Sequence, residues 1–172
     1  MTQATEIRIN NENKEFRSQV LGTPGAEKLM HCYQCGTCTA DCPIAKRVKE
    51  FRPRNIARLV MYGQKERLME GDLLYLCAGC YTCYEHCPQE VHVSEIVSAL
   101  RKMSLDEGHL LPGFKALMEG VAEMGYIYEI DEFANEMRGD DDLPPAPEPD
   151  TGGIEAIMRA TGFLGKVEAS TR

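Results

Sequence analysis

The amino-acid sequence predicts a mainly α-helical fold, and three observations carry that expectation. Apolar residues recur at helical spacing between residues 53 and 62 and again between 94 and 107. One short stretch, TEIRIN at residues 5–10, alternates as a strand does. All eight cysteines fall in two sets, placed where the helical pattern is interrupted.

Taken in order, Ile7 and Ile9 lie on one side of the first stretch, which reads as a short strand or a pairing arm. NENKEFRSQVLG reads as a short helix ended by Gly22, and Thr23, Pro24 and Gly25 then break the chain. Pro53 suits a first helical turn, and Ile56, Leu59, Val60 and Tyr62 make an apolar stripe behind it. Gly63 and Gly71 read as breaks or caps. Ser94 is expected to N-cap EIVSALRKMSLDEG, whose Ile96, Val97, Leu100 and Met103 share a face and whose end Gly108 follows. GFKALMEGVAEMG is a further helix. Residues 140–153, DDDLPPAPEPDTGG, are a linker by composition, because acidic, proline-rich chain cannot bury enough to fold alone. Beyond it, Ile154, Ile157, Met158 and Phe163 mark an amphipathic tail helix, which either grips a partner or packs back on its own domain. The expected organisation is an N-terminal arm (1–26), a helical domain (27–112), a C-terminal helical segment (113–139) and a linker with tail helix (140–172).

Composition narrows the function. The net charge of −8 disfavours nucleic acid or an anionic membrane as the main partner. The charge is uneven: Pro43 to Arg67 holds eight Lys/Arg against two Glu, whereas Glu119 to Asp150 holds eleven Asp/Glu against Arg138. These are solvated faces of opposite sign or docking surfaces for partner proteins. There is no apolar run of about eighteen residues, so no membrane span is expected. The polar N-terminus lacks the apolar core of a signal peptide, so a cytoplasmic location with reduced thiols is expected. No glycine run for nucleotides and no nucleophile–base set is present, so no catalytic residue is assigned.

The cysteines carry the chemistry. HCYQCGTCTADCP supplies Cys32, Cys35, Cys38 and Cys42, and LCAGCYTCYEHCP supplies Cys77, Cys80, Cys83 and Cys87. Both follow CxxCxxCxxxCP. A disulfide framework does not suit a reducing compartment, and zinc usually takes two well-separated CxxC pairs. The spacing matches the bacterial iron–sulfur run twice over, so two [4Fe–4S] clusters are expected. The two-residue gaps let one loop offer three thiolates to three corners of a cube, with loop amides pointing at the sulfurs. If a helix begins at the third cysteine, Cys38 and Cys42 share a face, and each fourth cysteine serves the other cluster. The expected sets are Cys32, Cys35, Cys38 and Cys87 on the first cluster, and Cys77, Cys80, Cys83 and Cys42 on the second. Pro43 and Pro88 turn the chain out of each site. His31 and His86 are expected as packing groups or donors to sulfur, since the cysteines already fill every corner. Thr37 and Thr82 occupy matching positions in the turns, and Tyr33, Tyr75, Tyr81 and Tyr84 are expected to shield the clusters.

The long helical stretch between Cys42 and Cys77 resembles the alpha-helical ferredoxin module of the iron–sulfur subunits of succinate dehydrogenase and fumarate reductase. CYQCGTCTADCP, FRPRNIARLVMYGQ and LYLCAGCYTCYEHCPQEVHVSEIVSALR, taken in that order, resemble the C-type iron–sulfur subunit of heterodisulfide reductase over residues 27–107. That resemblance implies an electron-transfer component of an oxidoreductase complex, without an active site of its own. It implies partners too: a flavin- and cluster-bearing A-type subunit that gives electrons, and a catalytic B-type subunit that reduces the coenzyme M–coenzyme B heterodisulfide. A hydrogenase or formate dehydrogenase in the wider assembly is also implied, and so is a place in methanogenesis. The CCG motifs of the catalytic partner are absent from this sequence. Two alternatives stand beside it: the iron–sulfur subunit of another oxidoreductase (succinate/fumarate- or glycolate-type), and a zinc-stabilised interaction module.

Overall fold

The structure is a computed structural model that describes residues 11–69 and 71–170. The strand expected around Ile7 and Ile9 lies outside the described residues. Every regular element among the described residues is helical. The chain forms two compact units, Met1–Ser104 and Leu105–Arg172. The division falls earlier than the boundary expected at residues 112 and 113. The cause lies in the last turn of the helix that crosses it. There Asp106 pairs with Lys166 at 2.6 Å, and Leu105, like Leu110, is buried.

The first unit begins with α1 (Asn11–Leu21) and continues through α2 (Thr37–Ala40), α3 (Pro53–Met61), α4 (Lys65–Met69) and α5 (Thr82–Glu85) into α6 (Val93–Asp106). Short 3₁₀ turns, Glu27–His31 and Leu73–Leu76, precede the two cysteine sets. The segment expected as an arm is part of the core: α1 buries Phe16 and Val20 among Leu29, Ile56, Val60, Ile96 and Leu100. Pro53 opens α3, and Ile56, Leu59 and Val60 are buried as the period requires. Tyr62 lies past the helix end and is 44% exposed, so the stripe stops before it. Gly63 follows in the left-handed region, φ +65°, and lies flat against α1. Its carbonyl accepts a 2.6 Å hydrogen bond from Asn13 Nδ2.

Ser94 does not cap α6. The helix starts at Val93, and the His92 carbonyl accepts the first amides, from Glu95 at 2.9 Å and Ile96 at 3.3 Å. His92 reaches this geometry with φ +52° and stacks on Tyr84, ring centroids 3.7 Å apart. Ser94 is thereby left inside the first turn.

The second unit contains α7 (Pro112–Met124), α8 (Glu132–Asp140), α9 (Thr151–Ala160) and α10 (Phe163–Ala169). The tail packs back: α9 and α10 lie on α7 and on each other, burying Leu164 and Val167. Lys115 Nζ donates to the carbonyls of Glu168 and Ser170, each at 3.1 Å. The proline-rich segment is not helical, yet it is held at several points. Asn135 Oδ1 accepts from Ala146 N at 2.9 Å, Arg138 Nε donates to the Pro144 carbonyl at 2.9 Å, and Tyr126 Oη donates to the Pro147 carbonyl. A free gripping arm is therefore not what forms. Cutting the chain after Asp142 removes both helices that cover α7. The expected result is full retention of iron with rapid proteolysis within 105–142, measured by iron analysis and limited digestion.

Candidate iron–sulfur centres

Each cysteine set is built the same way. A 3₁₀ turn ends at the first cysteine, whose amide bonds back to a buried leucine: Cys32 N to the Leu29 carbonyl at 3.1 Å, and Cys77 N to that of Leu74 at 3.4 Å. The chain then passes two left-handed residues before a one-turn helix. Gln34 (φ +62°) and Gly36 (φ +91°) do this in the first set; Gly79 (φ +64°) and Tyr81 (φ +57°) do it in the second. The left-handed turns let three cysteines of one loop face one side. The one-turn helices α2 and α5 pack against each other.

The helix argument for the fourth cysteines reaches only part way. Helix α2 stops at Ala40, so Cys42 is placed by the turn beyond it, where its carbonyl accepts from Lys46 N at 3.3 Å. Its sulfur nonetheless lines one cavity with Cys77, Cys80 and Cys83, the three cysteines of the other run. Ile44, Phe51, Val93 and Val97 wall the same space. On the other side, the Tyr33 hydroxyl has its pKa raised, first by Cys35 beside it and also by the charges of Cys87 and Cys32. Cys87 thus lies within reach of the first loop. Asp41 and His86, the residues before the two fourth cysteines, meet each other: His86 Nδ1 and Asp41 Oδ2 are 2.7 Å apart. His86 is therefore not a donor to sulfur through Nδ1; a carboxylate from the opposite loop holds it instead.

The sulfurs are supplied with donors. Thr37 Oγ1 stands 3.5 Å from Cys35 Sγ and Thr82 Oγ1 stands 3.4 Å from Cys80 Sγ. These hydroxyls are the leading reason that both thiols have lowered pKa values. Gln34 Nε2 donates to Cys32 Sγ at 3.3 Å. Backbone amides behind each proline do the same, Ala45 N to Cys42 Sγ at 3.5 Å and Val91 N to Cys87 Sγ at 3.3 Å. Burial pushes the Cys38 thiol up to about 11, with the nearby cysteine charges adding to it, and burial raises Cys83 as well. Ligation requires thiolates, so loading these two positions expels protons.

Ser94 supplies a test of what belongs in the cavity. Its hydroxyl is buried, lines the space beside Cys83 and opposes the effect of burial there, yet Ser94 Oγ has no protein partner in hydrogen-bonding geometry. A buried hydroxyl without a partner costs about 1–3 kcal/mol, and a sulfide or thiolate in that space would accept its proton. Four cysteines, one of them from the other run, line one space beside that donor hydroxyl, the ligand set that a cube with four iron corners takes. The residues fit an iron–sulfur cube. Sequence reasoning misses Gln34, Asp41 and His92, and a donor placed two residues after a cysteine is the only local signal for Gln34.

These features define an iron–sulfur protein of the dicluster class. Residues 28–91 match the 4Fe–4S dicluster domain, and the eight cysteines carry two [4Fe–4S] clusters. The C-type subunit of the H(2):CoB-CoM heterodisulfide,ferredoxin reductase of Methanothermobacter thermautotrophicus is 34% identical over 163 residues, covering 91% of this chain and 87% of the relative. The second C-type iron–sulfur subunit of the CoB–CoM heterodisulfide reductase of Methanocaldococcus jannaschii is 33% identical over 80% of this chain and 77% of its own length. The C-type subunit of the ferredoxin:CoB-CoM heterodisulfide reductase of Methanosarcina mazei is 31% identical over 85% and 89%. The chain belongs to the family of C-type heterodisulfide reductase subunits, whose place is in an oxidoreductase complex and whose role is electron transfer. Among the described residues no helix is long and apolar enough to cross a membrane.

Proposed function

We propose that this chain relays single electrons within a heterodisulfide reductase complex, from a flavin-bearing A-type subunit to the B-type subunit that reduces the coenzyme M–coenzyme B heterodisulfide. The observation that carries the proposal is the interleaving of the two cysteine sets, with Cys42 in the cavity of Cys77, Cys80 and Cys83. In this reading Cys32, Cys35, Cys38 and Cys87 hold one cluster, and Cys77, Cys80, Cys83 and Cys42 hold the other. Bound there, the clusters supply reversible one-electron chemistry. Crossed ligation keeps the two sites adjacent, and the pairing of His86 with Asp41 braces the loops between them. Thr37, Thr82, Gln34 and the amides of Ala45 and Val91 donate to sulfur and offset its negative charge. The apolar wall of Ile44, Phe51, Val93 and Val97 excludes water from the second site. The chain has no reaction of its own in this scheme and works in the cytoplasm. A relative in Methanococcus maripaludis is named for an H(2)/formate:CoB-CoM heterodisulfide,ferredoxin reductase. That name supports a hydrogenase or formate dehydrogenase as the more distant source of electrons.

Anaerobic purification of a tagged chain from its own host tests this. The expected preparation is brown, holds about eight iron and eight sulfide per chain, and carries a flavoprotein together with a CCG-containing protein. A colourless protein with zinc, or a brown one bound to a membrane cytochrome, overturns it.

A further inference from the structure

The two cysteine loops share a backbone and most of their sulfur donors. Thr37 is matched by Thr82. Thr39 beside Cys38 and the partnerless Ser94 hydroxyl beside Cys83 each oppose the effect of burial on the thiol. The cations are matched as well: the guanidinium of Arg54 packs on Gly36 of the first loop, and Arg101 donates to the Cys77 carbonyl of the second at 2.7 Å. Besides Gly36, whose place in the second loop Tyr81 takes, one pair of positions breaks the match. Where the first loop has Tyr33 and Gln34, the second has Ala78 and Gly79. Gln34 Nε2 donates to Cys32 Sγ at 3.3 Å, and the Tyr33 hydroxyl faces Cys35. Ala78 and Gly79 have no side-chain donor. Burial differs in the same direction. Both buried cysteines, Cys42 and Cys83, line the second site, with Phe51, Val93 and Val97 around them. None of Cys32, Cys35, Cys38 and Cys87 is fully buried, and Tyr33 is 61% exposed.

Reduction adds negative charge to a site that already carries it. Hydrogen bonds to sulfur and access to water favour the added electron, whereas apolar burial opposes it. We infer that Gln34 makes the first-loop site the more easily reduced of the two, so that an electron entering at the second-loop site passes to the first. The step moves one electron: the second-loop site is oxidised by one, the first-loop site is reduced by one, and no bond or proton is exchanged. A flavin-bearing partner supplies the electron. The inference rests on the ligand sets proposed above.

Gln34 and Gly79 have nearly the same backbone angle, φ +62° and +64°, and a Cβ on Gly79 would have nothing within 4 Å. The side chains can therefore be exchanged without rebuilding either loop. The experiment is an EPR-monitored redox titration of the anaerobic holoprotein, wild type beside Gln34→Gly and Gly79→Gln. Two waves are expected. Gln34→Gly lowers the more positive wave alone, and Gly79→Gln raises the more negative one. Each glutamine change alters the sharing of an electron between the sites about tenfold, equivalent to about 59 mV for a one-electron couple. Coincident waves, a Gln34→Gly shift of the more negative wave, or no shift in either glutamine variant overturns the inference and leaves the cluster reading standing. A sample without iron and sulfide defeats the cluster reading itself.

Discussion

Cys42→Ser should strip the protein of half its iron, and the cluster lost should be the distant one. In sequence Cys42 belongs to the first run. In space its sulfur lines the cavity of Cys77, Cys80 and Cys83. A serine hydroxyl is a poor replacement for thiolate at iron, so that site is left with three good ligands. The first loop keeps Cys32, Cys35 and Cys38, with Cys87 close to Tyr33. Iron should fall from about eight to about four per chain. The surviving cluster should still respond to Gln34→Gly, because Gln34 donates to Cys32. Survival of the cluster that responds to Gly79→Gln instead would show that each run serves its own site.

Gly63→Ala should be the most damaging small substitution outside the cysteine loops. The position has φ +65°, and a Cβ there would lie 2.1 Å from the Asn13 carbonyl oxygen, which is helix backbone and cannot swing aside. Left-handed geometry alone costs an alanine about 1–2 kcal/mol. Displacing α1 adds to this, because Phe16 and Val20 then lose their places in the core. A total of about 3 kcal/mol or more is expected, which lowers Tm by about 6–12 °C for a chain of this size. Gly108→Ala is the control: φ is +81° with nothing within 4 Å of the added carbon, so only the backbone cost applies. Equal melting shifts in the two variants would remove the close approach of α1 as the cause.

The cysteine sites are legible in the sequence because ligand spacing is dictated by short covalent bonds to a cube of fixed size. Three thiolates from one loop need two-residue gaps whatever surrounds them. The apolar stripe of Ile56, Leu59 and Val60 is legible for a similar reason, since helical period is local. Ser94 misleads because a capping rule weighs only neighbours in the chain. The rule does not register that His92 adopts φ +52° and stacks on Tyr84, which starts the helix two residues sooner and turns the serine toward the cavity. The tail supports two readings in sequence for want of long-range information. Proline-rich composition signals a chain that cannot fold alone, but Asn135, Arg138 and Tyr126 hold it from outside the segment. The Asp41–His86 contact is hidden in the same way, joining residues 45 apart.

The paired left-handed residues of the two loops have a practical consequence. Glycine stands at the second of these positions in one loop and at the first in the other, while Gln34 and Tyr81 fill the remaining two. A backbone that accepts glutamine, tyrosine or nothing at those points keeps its outline whichever is chosen. Voltage can therefore be adjusted one residue at a time, like changing a resistor on a board whose wiring stays put.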